Sequence, residues 1–467
     1  MRKTSISIIL VIGMLIALVN CRRDKNIFDT SSSLSFSTDT ILFDTLFTTI
    51  GSTTKRFKIY NNSNKKINIS SINLGQGTQS MFRINVNGFP GTVFENVEIP
   101  QKDSIFVFVE VTIDPNNGTN PMIVEDQINF LTNGKEQSIV LNAFGQDAYF
   151  HVSEIITTDT NWPNDKPHVI YNYVAVDSAQ TLTIPGGTSI HSFNNSFLYI
   201  YKSSLIVQGS LGNEVTFEQS RTEEFILAQA DSVAGQWRGI YMFAPQNSSI
   251  NYTKIKNATI GIQIDTLEGV DSVILENVRI DNSSFAALVT QGGNIYANSC
   301  LFGNSGSYSA FLSIGGSVYF DHCTFGNHWL NQRNTVLFAL KDYYSVNNTI
   351  FSRPFSKAII KNSIIYGNND NEIAFDTLSR SLTGGVAPNF FLSNCLIKSE
   401  DPVSSSTFYN SCWRNIDPNF ADPVNWDFHT NNSSSTNQKG TDTNPISDLD
   451  GNSRSASGND LGVYNTP

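Results

Sequence analysis

The chain has 467 residues and a net charge of −11, from 41 acidic against 30 basic side chains. Such a length calls for more than one domain. An acidic chain with no basic run argues against nucleic-acid binding, which rests on Lys and Arg neutralising phosphates. The 32 Phe and 16 Tyr, set among abundant Ser, Thr, Asn and Gly, suit strands and turns rather than helices.

The amino terminus carries Arg2 and Lys3 ahead of an apolar run, Ile6 to Val19, too short for a comfortable membrane span. The following Leu18-Val19-Asn20-Cys21 resembles a bacterial lipoprotein cleavage site, with Leu three before the Cys and Asn20 where a small residue is usual. The resemblance implies that residues 1–20 are a signal peptide and that Cys21 carries a diacylglycerol. Several acyl chains together hold a protein firmly on a membrane. Arg22 and Arg23, in place of an Asp, resemble lipoproteins sorted to the outer membrane of Gram-negative bacteria, on its periplasmic or cell-surface face. Residues 21–33, charged and ending in Ser31-Ser32-Ser33, read as a tether with no need to fold.

Residues 34–147 have the rhythm of short strands. Phe57–Tyr60 runs into an Asn/Ser turn cluster; Ile67–Ile69, Phe82–Val86 and Ile105–Val111 alternate or are strongly β-forming. Thr132-Asn133-Gly134-Lys135 is an Asn-Gly hairpin signal between Ile128–Phe130 and Ile139–Leu141. About seven such strands predict a β-sandwich. The order of phrases resembles the immunoglobulin-like domains of the ASPM–SPD-2–hydin group, which implies a spacer or interaction module without catalytic residues.

Residues 160–167 read as a joint. From about residue 165 to 399 a seven-residue phrase recurs: NYTKIKN from Asn251, ENVRIDN from Glu276, NSCLFGN from Asn298, DHCTFGN from Asp321, NSIIYGN from Asn362 and SNCLIKS from Ser393. The closing Asn257, Asn282, Asn304 and Asn327 stand 25, 22 and 23 residues apart, a solenoid period. Positions three and five are apolar or small, so they face inward in a short strand, and Asn at position seven turns the chain by accepting the left-handed conformation. From Asn327 to Asn368 the interval is 41 residues, either two coils or one with a long loop. The inward Cys and aliphatic ladder with its Asn ladder resembles the right-handed parallel β-helix (pectin-lyase-like) superfamily. The expected fold is thus all-β: an amino-terminal Ig-like β-sandwich followed by a right-handed parallel β-helix. Trp237 reads as a packing residue at a coil corner.

After Ser399 the pattern dissolves, and residues 400–467 are expected to cap the β-helix, because an open strand edge invites aggregation. Asp448, Asp450 and Asn452 hint at a calcium loop, without the Glu that completes an EF-hand. Cys300, Cys323 and Cys395 are expected as free thiols on the inner ladder, since parallel Cβ vectors suit bridging badly. Cys412 shows no evident partner. An Asp followed by Ser or Thr and then an aliphatic residue or Ala marks Thr40, Thr45, Ser104, Ser178, Ser232, Thr266, Ser272 and Thr377. This resembles the O-glycosylation signal that one group of Gram-negative bacteria uses for exported proteins.

Enzymes of the β-helix superfamily use acidic calcium clusters, Arg or Lys bases, or paired Asp. Arg279 and Asp281, with Lys254 and Lys256 one coil earlier, form the candidate charged surface, and His322 and His328 are candidate acids or bases. The Asn-Thr-Asp, Gly-His-Gly and Arg-Ile-Lys phrases of polygalacturonases are absent, and no Ser-His-Asp arrangement is evident from spacing. The expected function is therefore non-catalytic: a lipid-anchored protein whose β-helix offers a binding face to a glycan or a surface protein, with no obligatory metal or cofactor. A polysaccharide lyase or hydrolase working through Arg279, Asp281 and His322, and a structural spacer or adhesin, are the alternatives.

Overall fold

Alternating side chains must bury one face of each strand, and the chain does so in two compact units, residues Met1–Gln146 and Asp147–Pro467. The computed structural model describes residues 28–116, 118, 121–220, 233–266, 271–378, 389–404, 408–441, 447–454 and 458–466. The signal segment, Cys21 and Ser232 lie outside the described residues.

The first unit is an Ig-like β-sandwich of two five-stranded sheets. Its core is built from the inward residues of both, among them Phe57, Ile59, Phe82, Val107, Val109, Ile128, Phe130 and Leu141. The expected Asn-Gly hairpin joins Met122–Thr132 to Lys135–Gln146, with Asn133 at φ 54° and Gly134 at φ 71° as a primed turn requires. Residues 28–33 are not a free tether. Phe28 bridges to Lys66, and the Asp29 carboxylate accepts from the Ser31 and Ser32 amides and the Ser63 hydroxyl. Those bonds favour the ionised form and hold its pKa below the ordinary value, the Ser63 bond most of all.

The second unit is a parallel β-helix of 26 strands in one continuous sheet. Some strands run over two faces: Ser248–Lys256 pairs with both Ser204–Gln208 and Val215–Gln219 of the coil before. The first strand, Tyr149–Ile156, pairs in parallel with His168–Val176, so the solenoid begins ahead of residue 165 and takes in the expected joint. The long interval resolves as one coil. Thr324–Asn327 pairs directly with Ile364–Gly367, and the extra residues form a hairpin, Tyr343–Val346 with Thr349–Ser352.

Strand register corrects the reading of the phrase in three ways. First, Thr324 aligns with Ile364 and Phe325 with Ile365, so the fifth copy starts at Lys361, one residue earlier than its Asn suggests. Second, Leu396 aligns with Trp413, which makes Asn410–Asn415 a further copy beyond Ser399. Cys412 therefore belongs to the same inward column as Cys395, and all four described cysteines are free. Third, the left-handed corner recurs at position two. Tyr252, Asn277, Ser299, His322, Asn362, Asn394 and Ser411 all have φ between 40° and 54°. Only Asn257 and Asn282 of the closing Asn residues share it, and they link to Gln219 in a buried amide ladder.

The left-handed corner explains the residue types at position three. The turn leaves the carbonyl of position one pointing at the inward side chain two residues on. Thr253 Oγ1 donates to Asn251 O at 2.9 Å, Cys300 Sγ to Asn298 O at 3.2 Å, and Cys323 Sγ to Asp321 O at 3.4 Å. Ser363, Cys395 and Cys412 repeat the bond. These carbonyls also accept a backbone amide from the neighbouring coil, as Asp321 O does from Ser299 N at 3.1 Å, so the side-chain bond is a second one, worth about 0.5–1.5 kcal/mol net. Hence the column is filled mostly by small donors, not merely by small apolar residues. Cys323→Val, similar in volume but without a donor, is expected to lower stability by about 1 kcal/mol, and Cys323→Ser by less. Denaturant unfolding of the three proteins checks the order.

Candidate functional site

The candidate charged surface is not open. Positions four and six of the phrase point outward, and the described carboxy-terminal residues 417–441, 447–454 and 458–466 run across them as a strap. This strap lies along the side of the solenoid, from Leu211, which touches Gly451, to Trp413, beneath Lys439. Its apolar side chains, Phe428, Leu461, Val463 and Tyr464, pack on the outward Leu301, Ile364 and Leu396. Its polar bonds go to the left-handed corners: Ser299 Oγ to Ser447 O at 3.1 Å, His322 Nδ1 to Asp460 O at 3.1 Å, and Asn394 Nδ2 to Lys439 O at 3.2 Å. The Asn362 side-chain oxygen accepts from the Thr441 amide at 3.0 Å. Gly326 leaves room for the strap, since a Cβ there would stand 2.2 Å from the Phe428 ring.

Arg279 and Asp281 do meet. They form a hydrogen-bonded ion pair, with Asp281 only 1% exposed and Arg279 also donating to Trp426 O of the strap at 2.7 Å. Burial pushes the Asp281 carboxyl up, against the pull of Arg279 and Lys256. Burial also opposes the Arg279 charge, but Asp281 and the other acidic neighbours hold its pKa above the ordinary value. Lys254 turns aside to Glu214 at 3.8 Å. His322 is fully buried, and burial, reinforced by Arg454, keeps it neutral. His328, also held neutral by burial, packs on Phe420 and Phe428. A polymer cannot reach Asp281 or His322 while the strap is seated. These residues fasten the strap, and that is what their geometry supports.

The calcium-loop candidates are likewise occupied by the protein. Asp448 Oδ1 accepts from the Asp450 and Asn452 amides at 2.9 and 2.7 Å, and Oδ2 from Asn452 Nδ2 and the Asn465 amide at 3.0 and 2.8 Å. Asp450 instead meets His429. Among the described residues no cluster of three or more His, Cys, Asp or Glu side chains is placed to hold a metal ion. Of the possible glycosylation positions, Thr40, Thr45 and Ser178 are exposed, whereas Thr266 is buried at 4% exposure.

A different face carries the open feature. On the strands Phe197–Tyr201 and Gly239–Phe243, Leu198, Ile200, Ile240 and Met242 point into the core. Alternation then places Phe197, Tyr199, Tyr201, Tyr241 and Phe243 outside, all half-buried. Parallel register sets Tyr199 beside Tyr241 and Tyr201 beside Phe243. The last two rings stack at 5.8 Å with planes 11° apart, and Tyr173 extends the row at 5.9 Å from Phe197. Arg238 lies over Phe197 at 5.6 Å and Lys202 over Tyr201 at 5.4 Å. The next coil replaces rings with Gln263 and Asp265, whose side chains bond at 2.7 Å. Asp265 Oδ1 is buried without a hydrogen-bond partner among the described residues. Burial raises the Asp265 pKa, opposed by Gln263, and raises those of Tyr199 and Tyr241. The phenols therefore stay neutral donors next to an acceptor. The sequence carried the signal: Phe197-Leu198-Tyr199-Ile200-Tyr201 is apolar at every position, so once one set is buried a second set is left over.

Strap attachment has a pH dependence. His429, stacked on Tyr464 at 3.7 Å, bonds Asp450 Oδ2 at 2.7 Å and Asp427 Oδ1 at 2.5 Å. Asp450 first, then Asp427, raise its pKa above the ordinary 6.5 against burial. A raised pKa stabilises the attached state below the unfolded value and is lost as pH rises through the folded one. Hydrogen exchange across residues 420–430, corrected for its intrinsic pH dependence, is expected to quicken from pH 6 to pH 9, and His429→Asn to flatten the change.

No family model and no curated protein matches the chain. Among solved structures it is similar to a family 123 glycoside hydrolase from Clostridium perfringens, at 9% identity and a TM-score of 0.18, over 24% of this chain and 26% of that one. The chain thus spans about a quarter of that hydrolase's length. It is also similar to the ASH/PapD-like domain 7 of human CEP192, at 10% identity and a TM-score of 0.17, over 28% of this chain and 94% of that domain. Likeness at these scores carries nothing about function.

Proposed function

We propose that the protein is a lipid-anchored, glycan-binding protein of a Gram-negative outer membrane, with the aromatic row of the β-helix as its binding face. In this reading it is a bacterial lipoprotein akin to pectin-lyase-like repeat proteins, and its Ig-like domain is a module of the ASPM–SPD-2–hydin kind. One observation carries the binding role: Phe197, Tyr199, Tyr201, Tyr241 and Phe243 form a shallow half-exposed row, with Asp265 Oδ1, which has no hydrogen-bond partner among the described residues, at its edge. Sugar rings have apolar C–H faces and polar rims. Aromatic side chains offer large contact area at low entropy cost, and a few fixed polar groups at the rim orient what lies on them. A row running across successive coils suits an extended chain rather than a small compact ligand. The lipid anchor rests on Cys21 and the residues before it.

The test is binding of the folded chain to a broad glycan array, followed by Tyr199→Ala and Tyr241→Ala on any ligand found. Each substitution is expected to weaken binding about 10-fold or more, as loss of a stacking contact worth about 1–2 kcal/mol implies. Retained affinity in both variants, or a blank array with the wild-type protein, would remove the glycan reading. For the anchor, radiolabelled fatty acid is expected in the wild-type protein expressed in a Gram-negative host and to be absent from Cys21→Ala.

A further inference from the structure

The face that carries the strap begins with strands that no strap hydrogen bond described here reaches, and these bring Glu218 beside the neighbouring pair Ser189 and His191. Ser189 and His191 alternate outward on Ser189–Ser192. Parallel register sets Ser189 directly beside Thr216, and His191 beside Glu218, on Val215–Gln219. The contacts run in order. Ser189 Oγ lies 2.8 Å from His191 Nε2. His191 Nδ1 faces Glu218 Oε1 at 3.5 Å and the Gln219 carbonyl oxygen at 3.4 Å. Thr216 Oγ1 donates to Ser189 Oγ at 3.2 Å.

This arrangement fixes the proton positions. Nδ1 faces two acceptors, so it carries the ring hydrogen. Nε2 then has its lone pair directed at the Ser189 hydroxyl, which donates to it while accepting from Thr216. Burial holds the His191 pKa down to about 4, so the ring is neutral at pH 7. Ser189 stays half-exposed, and the Glu218 side chain is 32% exposed. Nucleophile, base and orienting carboxylate stand in the order that nucleophilic hydrolysis requires, and the longer histidine–carboxylate contact is of the kind that tightens on substrate binding.

We propose that Ser189, His191 and Glu218 form a catalytic relay that hydrolyses carboxylic esters. Ser189 Oγ attacks the ester carbonyl carbon as its proton passes to His191 Nε2. The carbon–oxygen bond to the alcohol breaks, and the departing oxygen takes that proton. Water then attacks the acyl-serine, giving its proton to His191, and the carboxylic acid leaves as Ser189 recovers its hydrogen. Glu218 stabilises the imidazolium in both steps. The proposal is independent of the aromatic face.

The test uses p-nitrophenyl acetate with the full chain and measures p-nitrophenol release at pH 7 and 8. The wild-type rate is expected to exceed that of Ser189→Ala, and His191→Gln is expected to lose on the order of 100-fold, the share a positioned base supplies. Glu218→Gln is expected to lose about 10-fold, since only the orienting charge is removed. Melting temperatures of all four proteins confirm that they fold alike. A wild-type rate no greater than that of Ser189→Ala, or an undiminished rate in His191→Gln, would overturn the proposal. The acyl intermediate gives a second readout: mass spectrometry of acid-quenched wild-type protein should find acetyl on Ser189, and acetylation confined to other residues would overturn it as well.

Discussion

Everything in the β-helix depends on one left-handed backbone corner that recurs from coil to coil. A strand that must turn sharply between two faces takes the left-handed conformation at phrase position two, and non-glycine residues adopt it at a cost. The position-one carbonyl keeps its ladder bond, as Asp321 O does from Ser299 N and Ser393 O from Asn362 N, and takes a second hydrogen from within the coil. Thr253, Cys300, Cys323, Ser363, Cys395 and Cys412 supply it. Val278 holds the same place without a donor, and the left-handed corner at Asn277 still stacks in register with its neighbours. The columns of inward Ile and Phe side chains follow from that alignment, as do the outward columns of positions four and six.

The outward columns then divide the labour between faces. On the phrase face, the corner side chains and the apolar position-four residues receive the strap, so a surface that looks charged and available in sequence is enclosed. On the adjoining face, the residues left over after Leu198, Ile200, Ile240 and Met242 are buried are rings, and no strap residue bonds to them in the hydrogen bonds described. The same alternation thus yields a fastening surface on one side and an open aromatic row on another. Elsewhere Arg333 pairs with Glu372, both nearly fully buried.

Periodicity made the architecture legible. The solenoid, the inward cysteines, the packing role of Trp237, which is fully buried and donates to Lys256 O at 2.8 Å, and the Asn-Gly hairpin were all readable from local pattern. What escaped was whatever depends on register or distance. Asn362 looked like a phrase start because Asn is the visible marker, yet Ile364 and Ile365 sit one place further along, and only pairing with Thr324 and Phe325 reveals it. Leu301 at an outward position was the clue that something apolar covers it, but its partners Phe428 and Val463 lie more than a hundred residues on. Ser189 and His191 were close in sequence, while Glu218 joins them only through parallel pairing across a coil. Arg279 and Asp281 were correctly seen as neighbours, and their chemistry was misjudged because exposure cannot be read from a phrase that says nothing of what lies upon it.

The strap follows, in chain order, every coil that it covers, so its residues leave the ribosome after theirs. Until they emerge, the coils already formed display Leu301, Ile364 and Leu396 to water in a line along one side. A chain that stops short would keep that stripe uncovered, and neighbouring copies could bury it against one another. Synthesis of the strap is therefore itself a folding event for surface laid down earlier.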